Sequence, residues 1–194
     1  MIYQGKHSYH SAVYFNFVKG FSLVELLVAM AVMAIGIAGA IATQATAKRD
    51  SVDAGQRSSA MIIAHDMLER IRLNPTQVVN YQGTQYGTAD FTITTPVACD
   101  NSSTCTSAEL AGYDKQQWHL LLSKGQINHS EVYKTPVLLK PTGCVEYNNG
   151  LVTVVVSWLS RDSTEDAANL NSAFAQGCGQ ASNQRRQVVY TSYL

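Results

Sequence analysis

Three residues near the start of the chain have the types and spacing to form a charged pair in an apolar setting. Gly20 precedes Phe21, and Glu25 is the only charged residue between Phe21 and Ala47. If the chain is cleaved after Gly20, Phe21 carries a free amino group, and Glu25 lies about one helical turn further on. Both groups are charged at neutral pH, and each is disfavoured in lipid unless it is paired. The segment therefore predicts a docking device, in which a neighbouring copy supplies the partner charge.

The apolar segment that carries this pair is long enough to cross a membrane. Phe21 to Ala42 is 22 residues, and a helix of that length at about 1.5 Å per residue covers a hydrocarbon core of roughly 30 Å. One alternative is that Glu25 is a snorkelling acid one turn inside the membrane. Another is cleavage after Ala45-Thr46-Ala47 by an ordinary signal peptidase, which would release a soluble periplasmic protein. The apolar run is longer than such signals usually contain.

The helix is predicted to continue beyond the apolar segment. Residues 21–47 form its transmembrane or assembly part, and residues 48–74 keep helical spacing with an amphipathic pattern. Asn74-Pro75 ends it, because a residue before proline disfavours the helical region. We expect one helix of about 53 residues. Its buried stripe is predicted at Val52, Ser59, Ile62, Ile63, Met67 and Ile71.

Residues 75–194, called the head below, read as a small globular α+β region. The Asn149-Gly150 dipeptide between β-branched runs predicts a two-residue hairpin turn. Asp114 and Trp118 are a possible sugar-binding pair, but a solvated aspartate beside a buried tryptophan is the favoured interpretation. The predicted elements are strands at 78–81 and 91–95, a helix at 107–122, a hairpin at 144–159, a polar loop at 160–184 and a strand at 187–193. A long helix followed by an antiparallel sheet gives an α+β fold.

The four cysteines all follow the apolar segment, where an oxidising compartment would permit disulfides. Four cysteines allow three pairings. We favour Cys99 with Cys105, which closes a short polar loop, and Cys144 with Cys178, which ties a late segment to a predicted strand. Their spacing contains no C-x-x-C and is not arranged with the histidines as a zinc set, so no metal site is expected.

Composition argues against several functional classes. The chain has 14 basic and 14 acidic residues, so its formal net charge is zero, and no direct binding of nucleic acid is expected. The histidines are scattered, and the sequence has neither a Gly-rich phosphate loop nor a serine nucleophile motif. We therefore predict neither an enzyme nor a cofactor.

The run Gly20-Phe21-Ser22-Leu23-Val24-Glu25-Leu26 resembles the leader and N-terminal helix of type IV pilins and type II secretion pseudopilins. The resemblance implies that residues 1–20 are a leader, and that prepilin peptidase cuts after Gly20 and methylates Phe21. It also implies that Glu25 guides incorporation of the subunit. This leader is longer and more aromatic than the short basic leaders usual in the family.

The segment Ala64–Pro75 resembles the helix end of PilV-type minor pilins, the type IV pilus modification proteins. Two later segments, Ala108–Asp114 with Trp118 and Val152–Trp158, are also similar. The resemblance implies a minor pilin that primes assembly with other minor pilins, the major pilin and an inner-membrane assembly platform. It implies a single-pass inner-membrane protein with a periplasmic head, and later a position in the pilus fibre or at its tip. The alternative within the superfamily is a minor pseudopilin of a type II secretion system. The alternative outside the superfamily is a soluble periplasmic binding or adhesive module.

Overall fold

The structure is a computed structural model that describes residues 20–92, 99, 105–124 and 138–194. The chain forms two compact units, Met1–Ala47 and Lys48–Leu194. In the second unit, helices pack against one face of a four-stranded antiparallel sheet. This arrangement confirms the predicted α+β fold class. Residues 1–19 of the predicted leader lie outside the described residues.

Helix α1 runs from Leu23 to Leu73, which confirms the single long helix predicted from the sequence. No proline interrupts this stretch, and its many alanines favour helix, although Gly36, Gly39 and Gly55 each weaken it locally. The helix stops where predicted, since Asn74 precedes Pro75 and takes the non-helical backbone angles φ −135° and ψ 56°.

The buried stripe of α1 in the second unit differs from the predicted one at a single clear position. Ile62 was expected inside but is 65% exposed. Adjacent residues on a helix lie about 100° apart, so when Ile63, Met67 and Ile71 face the sheet, Ile62 turns toward solvent. The small side chains Ala60 and Ala64 take the inward positions beside them. Buried on α1 are Gln56, Ser59, Ala60, Ile63, Ala64, Met67, Leu68 and Ile71.

The strand predicted at 78–81 is wrong, because this segment is part of a 3-10 helix, Pro75–Tyr81. Proline suits the first position of a helix, because its ring fixes φ and the N–H that it lacks would have no partner there. The Gln77 amide then donates to the Asn74 carbonyl at 3.1 Å. Val78 and Tyr81 are the buried residues of the segment, and three-residue spacing places them on one face of a 3-10 helix. The predicted strand at 91–95 is not found at residues 91 and 92, and its remainder lies outside the described residues.

The sheet has four strands, each antiparallel to its neighbour, in the order β1 Gly83–Tyr86, β2 Leu139–Asn148, β3 Leu151–Leu159 and β4 Arg185–Tyr193. Asn149 and Gly150 join β2 to β3 with φ values of 50° and 85°, the left-handed pair that a two-residue hairpin turn of this twist requires. The predicted hairpin and final strand are therefore confirmed.

Strand β3 is buried on both faces, which explains its run of β-branched residues. Val152, Val154 and Val156 join the main core with α1. On the other face, Val155 packs in a smaller cluster with Ala175 and the half-cystines. Covered faces on both sides favour continuous apolar sequence over strict alternation.

Helix α2, Ser107–Lys124, confirms the predicted helix and closes the core. A capping box starts it: the Glu109 amide donates to Thr106 Oγ1, and the Glu109 carboxylate accepts from the Thr106 amide at 2.8 Å. Trp118 lies fully buried, and its indole N–H donates to the Ile63 carbonyl at 2.8 Å. A Cβ at Gly143 would lie 2.5 Å from the Trp118 ring, so glycine is what lets β2 approach α2 this closely.

Residues 160–184 are mostly loop, as expected, but contain the short helix α3, Ala173–Gln176. Arg185 organises this segment from a position only 3% exposed. Its Nε donates to Asp166 Oδ1 at 2.7 Å, and its Nη1 donates to the carbonyl oxygen of Gln176 at 2.8 Å. Although burial works in the opposite direction, the hydrogen bond from Arg185 and those from two backbone amides lower the pKa of Asp166.

Two disulfides lie in the second unit. The sulfur atoms of Cys144 and Cys178 are 2.05 Å apart, and those of Cys99 and Cys105 are 2.03 Å apart. The first links β2 to the segment after α3, across 34 residues of chain. The second links residues 6 apart just before α2.

Candidate functional site

The start of α1 gives the predicted charged pair its local geometry. Gly20 to Ser22 precede the helix, and the Leu26 amide donates to the Ser22 carbonyl at 3.2 Å. Glu25 lies in the first turn, where a carboxylate is stabilised by the positive end of the helix dipole. A free amino group at Phe21 would therefore stand just ahead of the helix, with Glu25 about one turn below it.

Gly20 has no packing role that the structure shows. A Cβ built on Gly20 meets no atom within 4 Å, and the neighbouring Phe21 is 87% exposed. Alanine would therefore fit at Gly20 without a clash against the residues that the structure describes. Recognition of the peptide bond by a processing peptidase is one reason for a glycine at this position.

Glu25 is a single carboxylate on an apolar surface. No hydrogen bond or ion pair joins it to another residue within the described ranges. Its apolar neighbours Leu23, Val24, Leu26 and Leu27 are 58% to 74% exposed. Placing a carboxylate at the centre of a membrane costs about 2.5–3.5 kcal/mol on insertion scales. Glu25 is thus chemically suited to accept hydrogen bonds from a cationic group of another molecule.

The rest of α1 in the first unit is apolar on all sides. By length and composition α1 is able to cross a membrane, since an 18-residue window has a mean hydropathy of 2.4. Two of its polar side chains bond within the helix: the Thr43 hydroxyl donates to the Ala40 carbonyl at 2.9 Å and the Thr46 hydroxyl to the Ala42 carbonyl at 3.3 Å. Such back-bonding suits a helix that has no water around it.

A second constellation, which the sequence interpretation missed, joins the end of α1 to α2. Asp114 was expected in solvent, but its side chain is only 9% exposed. Arg70 Nη1 donates to Asp114 Oδ1 at 2.8 Å, and the Tyr81 hydroxyl donates to Asp114 Oδ2 at 2.7 Å. Arg70 Nε also donates to Asp66 Oδ2 at 2.8 Å. The sugar-binding interpretation fails as well, since both Asp114 and Trp118 are buried.

Asn74 extends this network at the helix end. Its side-chain nitrogen Nδ2 donates to the Ser107 carbonyl at 2.7 Å and lies 3.3 Å from the Tyr81 hydroxyl. The spacing of α2 contains the signal that was overlooked, because Asp114 falls three residues after Ala111 and four before Trp118. That spacing places it on the inward face.

The buried side chains of this network are poorly suited to proton transfer. Burial, followed by the hydrogen bond to Asp114, raises the pKa of Tyr81 well above its ordinary value, and burial does the same to the pKa of Tyr86. Although burial opposes it, hydrogen bonds to Asp66 and Asp114 raise the pKa of Arg70. The hydrogen bonds from Arg70 and Tyr81 to Asp114 join the end of α1 to α2.

His119 occupies the other end of α2. It accepts a hydrogen bond at Nδ1 from the Gly87 amide at 3.1 Å and stacks on Phe91 at 4.7 Å between ring centroids. Burial, with a smaller effect of the Lys124 charge, lowers the pKa of His119. Within the described part of the chain, no group of three or more His, Cys, Asp or Glu residues is arranged to hold a metal ion.

Two family models match successive parts of the chain. Residues 16–41 match the prokaryotic N-terminal methylation motif, and residues 42–116 match the model described as type IV pilin Tt1218. The first range contains Gly20, Phe21 and Glu25, and the second contains the Arg70–Asp114 contact. No curated protein and no solved structure matches the chain.

Proposed function

Because the chain belongs to the type IV pilin superfamily, we propose that it is a minor subunit of a type IV pilus that helps to prime assembly of the fibre. Members of this superfamily are structural subunits that are anchored in a membrane and incorporated into a fibre or pseudopilus. The N-terminal methylation motif implies processing by prepilin peptidase and handling by the assembly machinery.

The observation that carries the proposal is the solitary carboxylate of Glu25. It is the only charge between Phe21 and Ala47, and no described residue of its own chain neutralises it. After cleavage and methylation, the amino group of Phe21 in a neighbouring subunit is a cation that lies at nearly the same depth in the membrane as Glu25. Pairing removes the cost of holding either charge in lipid.

The minor-pilin assignment is supported by the positions of the residues that resemble PilV-type proteins. Arg70 and Asn74 belong to the Ala64–Pro75 segment, and Asp114 belongs to the later segment. They meet in one hydrogen-bonded network at the end of α1. Two of the three segments that carry the resemblance, Ala64–Pro75 and Ala108–Asp114, are thus joined by one network that fixes α1 to the head.

We further propose the following course for the chain. Residues 1–20 are removed after Gly20, residues 21–47 hold the subunit in the inner membrane in a single pass, and the head lies in the periplasm. Residues 48–74 then serve as the amphipathic part of the same helix. Other minor pilins, the major pilin and the inner-membrane platform are the partners during incorporation into the fibre or its tip.

Substitution of Glu25 tests the proposal. Leaving one member of a buried ion pair alone costs about 3–5 kcal/mol, which corresponds to at least about a hundredfold loss at a docking equilibrium. Glu25→Ala and Glu25→Gln should therefore be exported and processed normally but be depleted from sheared fibres. Glu25→Asp keeps the charge and should retain more incorporation than either.

The measurement compares the amount of each variant in sheared fibres with the amount in membranes. Normal fibre levels of Glu25→Gln would refute the docking role. Recovery of the wild-type chain in a type II secretion pseudopilus, and not in pili, would favour the pseudopilin alternative.

A further inference from the structure

A groove in the second unit carries an excess of positive charge. Two cavities of about 390 Å³ and about 310 Å³ share Asp53 in their linings. Their charged lining comprises five basic side chains and two carboxylates. The basic residues are Lys48, Arg49, Arg57, Arg161 and Arg186, and the acidic ones are Asp53 and Asp162. We call these two cavities the basic groove.

The two carboxylates of the basic groove offset only part of the charge of its five basic side chains. None of its five basic side chains forms an ion pair with any residue that the structure describes. The Arg186 guanidinium donates only to backbone carbonyls, including that of Asp162 at 3.0 Å. The Asp53 carboxylate accepts from the Ser160 hydroxyl at 3.2 Å. The groove therefore presents guanidinium donors, which suit the planar, multi-oxygen geometry of a phosphate group.

The groove combines these cations with an apolar lining. Val52 lines one cavity, and Ala54 and Trp158 line the other. Apolar groups beside a cationic rim match the part of a glycerophospholipid where the charged phosphodiester is followed by the apolar acyl chains. Inorganic phosphate alone would gain nothing from the apolar part.

Lys48 lies close along the chain to the end of the apolar segment, where the headgroup of a membrane lipid would be. Helix α1 is continuous through Ala47 and Lys48, so the first basic residue of the groove follows Ala42, the end of the apolar segment, by six residues, which is less than two helical turns. Basic residues next to a membrane segment normally lie on the cytoplasmic side. With the head in the periplasm, as proposed above, these cations lie on the side of the membrane where basic residues are less common.

We propose that the basic groove binds the phosphodiester headgroup of an anionic glycerophospholipid while the subunit is in the membrane. A duplex nucleic acid fits less well, because its binding relies on an extended basic surface and this chain has a formal net charge of zero. The inference uses the proposed membrane-inserted state. Lipid binding is measured separately from fibre incorporation, so its failure would leave the proposed function standing.

The test uses the whole mature chain in a neutral detergent and native mass spectrometry. Phosphatidylglycerol and phosphatidylcholine with identical acyl chains are titrated against wild type, against Arg57→Gln/Arg161→Gln and against the control Lys124→Gln/Lys140→Gln. The control pair is exposed and lies outside the groove. A basic residue near an anionic lipid contributes about fivefold in affinity, so the groove variant should bind phosphatidylglycerol about 25-fold more weakly.

We expect wild type and the control to prefer phosphatidylglycerol over phosphatidylcholine, and the groove variant to lose that preference. Circular dichroism checks that each variant is folded, and the lipid preference of wild type is informative without any variant. Equal binding of the two lipids by wild type would overturn the proposal, as would an unchanged groove variant. Displacement of the lipid by equimolar inorganic phosphate or by a short DNA duplex would reassign the groove to that ligand.

Discussion

The buried carboxylate of Asp114 allows a sharp prediction about what fixes α1 to the head. Asp114→Ala removes a hydrogen bond from Arg70 and another from Tyr81, at 2.8 Å and 2.7 Å. Hydrogen bonds to a charged group each contribute about 1.5–3 kcal/mol. Arg70 keeps its second partner and is 22% exposed, so part of that loss is recovered. We expect the free energy of unfolding to fall by about 2–4 kcal/mol.

Asp66→Ala is the matched control, because it removes the other carboxylate partner of Arg70. The Asp66 side chain is 31% exposed, compared with 9% for Asp114, so loss of this ion pair should cost less, about 1 kcal/mol. Tyr81→Phe tests the second hydrogen bond. Together with Asp114→Ala it forms a double-mutant cycle with an expected coupling of about 0.5–3 kcal/mol.

The assay is denaturant unfolding of the detergent-solubilised chain with its disulfides intact, followed by tryptophan fluorescence. The chain contains 2 tryptophans; Trp118 and Trp158 are both buried in the head, so the signal reports unfolding of that region. A loss for Asp114→Ala no greater than for Asp66→Ala would refute the assigned role of the network.

Three further predictions concern the second unit. Replacing Cys144 and Cys178 by serine should lower stability by about 4 kcal/mol, as expected for a loop of this length, and an unchanged melting temperature would contradict the bridge. Gly143→Ala should lower the free energy of unfolding by about 1–3 kcal/mol or more, because the added methyl group overpacks the core. The control is Gly112→Ala, where a Cβ meets nothing within 4 Å, and it should raise the free energy of unfolding by up to about 1 kcal/mol by favouring α2. Equal effects of the two substitutions on thermal unfolding would contradict the close approach of β2 and α2. Burial lowers the pKa of His119, so as the pH falls the unfolded state binds the proton before the folded state does. Stability should therefore decrease as the pH drops through about 6.5 toward the pKa of the folded state. The melting temperature of His119→Gln should decrease less over that pH range, and the same decrease as in wild type would contradict a role for His119.

Local sequence signals were enough to predict the main elements of the fold. The hairpin followed from Asn149-Gly150 between β-branched runs, and the end of α1 followed from Asn74-Pro75, because turn and proline effects act over a few residues. The strand prediction at 78–81 failed where two such signals competed. Two adjacent valines favoured a strand, but the proline at Pro75 started a 3-10 helix instead.

Features that depend on distant residues could not be predicted in the same way. The burial of Asp114 depends on Arg70, which lies 44 residues earlier. The basic groove brings Arg57 close to Arg186 only after β4 has joined the sheet. By contrast, Gly20 and Glu25 stood out from residue type and spacing alone, because an acid in an apolar run is unusual wherever the chain folds.

The most direct test of the central claim is the N-terminus of the mature protein recovered from sheared fibres. Peptide mass spectrometry should find a chain that begins at Phe21 and carries one methyl group on its amino nitrogen. A terminus at Lys48, which cleavage after Ala47 would produce, would contradict the account, because such a chain would lack both Glu25 and the apolar segment.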